Sequence, residues 1–162
     1  MCSAVSDPQK QFHAVDALLT RWLKERRQLL GCYTELAVTL DTQIDTQVLK
    51  KKQQVLCELL VDYVSAGHFE VYHELIEEAE SFGDGSSALA RELIPSIGDT
   101  TEVILAYEEK YAGDCGQTEG IRRDLSALGE MLESRFVLED QLIAGLHARH
   151  RRQVEHLAPA DW

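Results

Sequence analysis

The chain has 162 residues, 44% of them hydrophobic and 27% charged, with a formal net charge of −12. That is enough for one domain with a real core, and the composition is not that of a disordered segment. The acidity argues against nucleic acid or anionic membrane as a direct ligand and favours basic protein partners.

No apolar run approaches membrane-spanning length, and Met1–Pro8 lacks the apolar stretch of a signal peptide. The expectation is a soluble, cytoplasmic protein. Cys2, Cys32, Cys57 and Cys115 form no C-x-x-C pair. They read as free thiols, with Cys32 and Cys57 filling small core sites and Cys115, in a Gly-rich stretch, exposed.

The periodicity is helical throughout. Asp7-Pro8 supplies a cap and a first-turn proline, and an apolar stripe follows through Val15, Leu18, Leu19, Trp22, Leu23, Leu29, Leu30, Tyr33, Leu36 and Leu40. This predicts a first helix over about 8–38, with Trp22 and Tyr33 in the core and Gly31 as a weak point. Residues 41–45 read as a turn. A second stripe runs through Val48, Leu49, Val55, Leu56, Leu59, Leu60, Tyr63 and Val64, then past Gly67 through Phe69, Tyr72, Leu75 and Ile76 to about Ser81. One long helix, kinked or loosened near Gly67, fits this stripe. Phe82-Gly-Asp-Gly-Ser-Ser is a loop. Ala88 to Ile94 starts a helix that Pro95 is expected to bend or end, with a restart near Asp99 or Thr100 and a stripe through Val103, Ile104, Tyr107 and Tyr111. Residues 112–116 form a second loop. The last stripe, from Ile121 through Leu128, Leu132, Phe136 and Leu142, predicts a helix to about Leu157.

No segment alternates like a strand. The reading is an all-α, antiparallel four-helix bundle with long, partly kinked helices, one domain over 1–162, its ends at 1–7 and 158–162 disordered. The tail from His147 has three arginines and three histidines against Glu155 and Asp161. It reads as a solvated helix end, where cations suit the dipole.

Between Gln53 and Ala90 there is no Lys or Arg, but there are eight carboxylates. Set in that run is LVDYVSAGHFEVY, residues 60–72, where helix spacing is broken by Ser-Ala-Gly and followed by His68, Phe69 and Tyr72. Glu58, Asp62, Ser65 and Phe69 share one helix face, mixing acid with an aromatic. On composition alone this reads as a solvated face. Glu70-x-x-His73 has the spacing of di-iron bundles, but those need a second such pair and two more carboxylates, and the chain has no second pair. Glu139 and Asp140 are further oxygen donors. No metal and no other cofactor is expected, and a hemerythrin-like metal-binding helical bundle stands as the alternative. There is no phosphate-binding glycine loop, nucleophile elbow or Cys–His pairing in a recognisable context, so no enzymatic chemistry is expected. Arg135 and Glu139 are one turn apart and read as a surface pair of little energetic consequence.

RWLKERRQLL (21–30), LVDYVSAGHFEVY (60–72) and RFVLEDQLI (135–143) together resemble the regulator of sigma D family, bacterial anti-sigma factors typified by Rsd and AlgQ. The blocks span essentially the whole chain, and DYVSAGHFEVY with the following Phe82-Gly-Asp is closer to the AlgQ branch, which is tied to alginate regulation. The resemblance implies a helical, cytoplasmic transcription regulator. It would bind the C-terminal domain (region 4) of the primary RNA polymerase sigma factor and withhold it from core polymerase and promoter DNA, without binding DNA itself. It places Asp62, Ser65, His68, Phe69 and Tyr72 at or near the contact. His73 and the Arg/His-rich tail depart from the family pattern. A monomer with no membrane contact is expected.

Overall fold

The computed structural model describes residues 7–42, 45–113 and 120–157, with the side chains of 156 and 157 left aside. All regular structure among these residues is helical, as the stripes predict. Helix α1 spans Pro8–Thr42 and α2 spans Thr46–Ala66. A π-helical turn, Gly67–Val71, joins α2 to α3, Tyr72–Phe82. Helix α4 spans Ala88–Tyr111 and α5 spans Ile121–Leu146. A 3₁₀ turn, Ala148–His150, leads into the short α6, Arg151–Leu157. Of the disorder expected at 1–7 and 158–162, only Asp7 is among the described residues, where it caps α1; the rest, with Cys2 and Cys115, lies outside them.

Local chemistry sets several boundaries. The Asp7 carboxylate accepts from the Gln9 amide at 3.0 Å, and the Asp45 carboxylate accepts from the Gln47 amide at 2.9 Å. Each satisfies a donor that the first helical turn leaves free. Gly83 ends α3 in the left-handed conformation, φ 65°, which costs a residue without Cβ little.

Short connections set α1 against α2 and α4 against α5, and α2 closes the bundle against α4. One core runs through it: Trp22, Leu29 and Leu36 meet Leu56, Leu60 and Tyr63, then Leu75, Ile97, Ile104, Leu128 and Leu142. Trp22 is 1% exposed, stacks on Tyr63 at 4.7 Å and donates from its indole to the Tyr63 carbonyl. Tyr107 is buried too, while Tyr33 and Phe136 are half-buried against the core. Cys57 is a buried free thiol, pushed up to about 12 by burial and then by Glu108 and Glu58; Cys32 is free and half-buried.

Three expectations are corrected. Of the bend or end expected at Pro95, the end and the restart near Asp99 do not occur: α4 runs unbroken from Ala88 to Tyr111. Pro95 and Arg91, whose carbonyl loses its helical donor there, are both exposed, so water can satisfy that oxygen. The last helix does not reach Leu157, because it stops at Leu146 and the chain turns at His147, φ −126° and ψ −62°. The tail is not simply a solvated end, since His147, His150 and Val154 are buried against the bundle. Among the described residues no helix is long and apolar enough to cross a membrane.

Candidate functional site

Residues 58–69 present their outer face as one stripe. Glu58 and Asp62 are exposed, Ser65 is half-buried, and Phe69 is 85% exposed, far more than any other large apolar side chain described. Phe69 sits on the π-helical turn, where the chain winds wider than an α-helix. His68, beside it, turns inward: its Nε2 lies 2.8 Å from the Thr101 hydroxyl on α4. Burial, and then the Arg135 charge, hold the His68 imidazole below its ordinary value. Tyr72 does not reach the surface. It is 3% exposed, so of the five sequence-designated residues four lie at the surface or its edge and Tyr72 lies beneath them.

The surface around Asp62 gathers acid from three elements. Glu25 on α1 is held above the ordinary carboxylate range by burial and then by the charges of Asp62 and Glu70. On the other side a groove of about 630 Å³ between α2 and α4 is lined by Glu58, Asp62 and Glu108, over Cys57, Val61 and Ala112. Among the described residues Asp62 has no hydrogen-bond or ion-pair partner that would neutralise it. Such a surface favours a cationic partner.

Gly67 makes the turn possible through space rather than through φ, which is helical at −58°. A Cβ there would lie 3.0 Å from the Tyr72 hydroxyl and 3.2 Å from the Trp22 ring. Both side chains are buried and hydrogen-bonded, so they give way poorly. Gly67→Ala gains about 1 kcal/mol of helix propensity and meets an overpacking cost of about 1–3 kcal/mol. The expected result is a net loss of stability in urea titration. A more stable variant would show that Trp22 and Tyr72 shift freely.

Behind the stripe lies a buried polar network, centred on the Arg135–Glu139 pair that the sequence places at the surface. Arg135 and Glu139, on α5, are both 0% exposed and pair at 3.0 Å. Arg135 also donates to Thr101 at 2.6 Å, to Thr100 at 3.2 Å and to the Tyr72 hydroxyl at 3.0 Å. Glu139 accepts from Tyr63, Tyr72 and Arg26. Burial, then the Glu139 charge, push both tyrosine hydroxyls up, so they remain donors. Through Thr101 the network reaches His68, and through Tyr72 it anchors the far end of the π turn. It thus positions the element that carries Phe69.

The metal reading finds little geometric support. Glu139 is engaged in this network, and Glu70 does not group with His73. His73 instead gathers with Glu74 and Glu77, ligand atoms within 4.8 Å of one another, at the surface of α3. A half-exposed trio on one helix face lacks the donors from facing helices that bundle metal centres use.

Comparison with known proteins adds a family to this geometry. The profile described as "Regulator of RNA polymerase sigma(70) subunit, Rsd/AlgQ" matches residues 1–147. A protein named "Regulator of sigma D" from Yersinia pseudotuberculosis serotype O:1b (strain IP 31758) is 34% identical over 148 residues, 89% of this chain and 86% of its own length. A protein of the same name from Shigella boydii serotype 4 (strain Sb227) is 32% identical over 147 residues, 88% of this chain and 92% of its own. No solved structure matches. The match takes in the acidic stripe, the π turn and the buried Arg135–Glu139 pair behind them, and this helical chain belongs to the Rsd/AlgQ family of regulators of the RNA polymerase sigma(70) subunit.

Proposed function

We propose that this protein binds the C-terminal domain (region 4) of the primary sigma factor through the stripe from Asp62 to Phe69, and sequesters it from core polymerase and promoter DNA. That domain is a helix-turn-helix module whose DNA-facing side must be basic to meet phosphates. An acidic face with one protruding aromatic competes for that side. The protein acts in the cytoplasm, as a monomer, with no chemistry of its own and no direct contact with DNA.

The observation that carries this reading is Phe69, 85% exposed, beside an unneutralised Asp62 in a chain of the sigma(70)-regulator family. Large exposed aromatics anchor interfaces once a partner desolvates them. Ser65 and His68 line the edge of the contact, and Tyr72 supports it from below.

The test is titration calorimetry of the intact protein with the isolated sigma C-terminal domain at low and moderate salt. Saturable binding that weakens as salt rises is the expected result, because acid meets base at the contact. Absence of heat and of co-elution at low salt would overturn the proposal.

A further inference from the structure

Where the chain leaves α5, two histidines are buried in a setting made for cations. His147 Nδ1 lies 2.5 Å from Glu78 Oε1, and its Nε2 lies 2.8 Å from Asp16 Oδ1. His150 Nδ1 faces the other oxygen of Glu78 at 3.3 Å and the Leu146 carbonyl at 3.0 Å. Its Nε2 lies 2.9 Å from Asp84 and 3.4 Å from the Ser86 hydroxyl. A neutral imidazole carries one N–H and the imidazolium two. Both nitrogens of His147 face carboxylates, so only the protonated ring satisfies both contacts.

The surroundings complete a closed set of charges. From α1 comes Asp16, from α3 Glu78, and from the loop after α3 Asp84. From the tail itself Arg151 reaches Asp16 at 2.9 Å and Arg149 approaches Asp84 at 3.8 Å. The rings are clamped face to face, His147 on Phe12 at 4.1 Å and His150 on Phe82 at 4.0 Å. Glu78, His147 and His150 are all 2% exposed or less. The family match ends at residue 147, so His150, Arg149 and Arg151 lie beyond it.

We propose that residues 147–157 form a pH-gated latch, docked on α1 and α3 while His147 is protonated and released when it loses that proton, uncovering Phe12, Phe82 and three carboxylates. Burial opposes the charge on His147, but its bonds to Glu78 and Asp16 outweigh burial and raise it above its ordinary value. Asp16 is lowered, chiefly by its bond to His147. The sign follows from linkage: docking is fully supported below the free imidazole value of about 6.5, and the support is lost as pH rises through the higher docked value.

Hydrogen exchange of the full chain, corrected for intrinsic rates, reads the latch between pH 6 and pH 9. Opening of the 148–157 amides should rise roughly tenfold per pH unit above about 6.5 and then level off, while core amides around Ile104 on α4 stay protected. His147→Gln should open equally at both pH values. Nitrogen-15 shifts of the His147 ring in the unaltered protein should report two N–H groups at pH 6. A neutral ring at pH 6, tail protection independent of pH, or core amides opening in step with the tail would each overturn the latch.

Discussion

Arg135→Ala should destabilise the protein by about 3–5 kcal/mol, the cost of leaving a buried charge without its partner. Arg135 is fully buried, and its guanidinium spans the bundle from Glu139 to Thr100, Thr101 and Tyr72. Removing it strands the Glu139 carboxylate, which then keeps only Arg26 as a cation, at 3.1 Å. Urea titration followed by circular dichroism measures the loss. Arg135→Met separates charge from volume, since the methionine stem fills much of the space. Adding Glu139→Gln to Arg135→Met removes the stranded charge and should restore part of the stability. A loss below about 1 kcal/mol for Arg135→Ala would place the pair in contact with water. A double variant no better than Arg135→Met would show that lost hydrogen bonds, not an unpaired charge, set the cost.

That pair also shows where sequence reading stops. Leu128, Leu132, Arg135, Glu139, Leu142 and Leu146 are spaced by threes and fours, so the register placed both charged residues on the buried face. Residue type points the other way, because Arg and Glu are almost never fully buried unless paired. The partners that make burial tolerable, Tyr63, Tyr72, Arg26 and Thr101, come from other helices and have no local signature. The tail fails for the same reason. His147 is held by Glu78 and Asp16, 69 and 131 residues away, and nothing near it in sequence announces a buried site. The four-helix architecture was legible because stripes and caps are local. The loosened turn at Gly67 was legible because Ser-Ala-Gly interrupts a strong stripe. Phe69 and Tyr72 are three residues apart in one motif, yet one is exposed and the other buried. The π turn between them decides which is which, and at its start Trp22 and Tyr72 leave no room for a side chain at Gly67.

If the stripe is the sigma-binding surface, Phe69→Ala and Asp62→Ala should both weaken the complex and leave the fold intact. Phe69 buries little in the free protein, being 85% exposed, so its removal leaves no core cavity. As a desolvated anchor it should contribute about 2 kcal/mol or more, roughly thirtyfold in affinity. Asp62 is exposed beside Glu58, Glu108 and Glu25, in a patch whose mutual repulsion a partner's Arg or Lys would relieve. In a contact that excludes water, Asp62→Ala should weaken binding by about 2–5 kcal/mol. At a wet rim the loss should be about 1 kcal/mol or less and shrink with added salt. Titration calorimetry at two salt concentrations distinguishes these cases, with a melting curve for each variant as control. The free protein should melt at the parent temperature or slightly above it after Asp62→Ala, because one of several crowded carboxylates is gone. A variant melting well below the parent would make Asp62 structural. Unchanged affinity in both variants at low salt would move the sigma contact away from the π turn altogether.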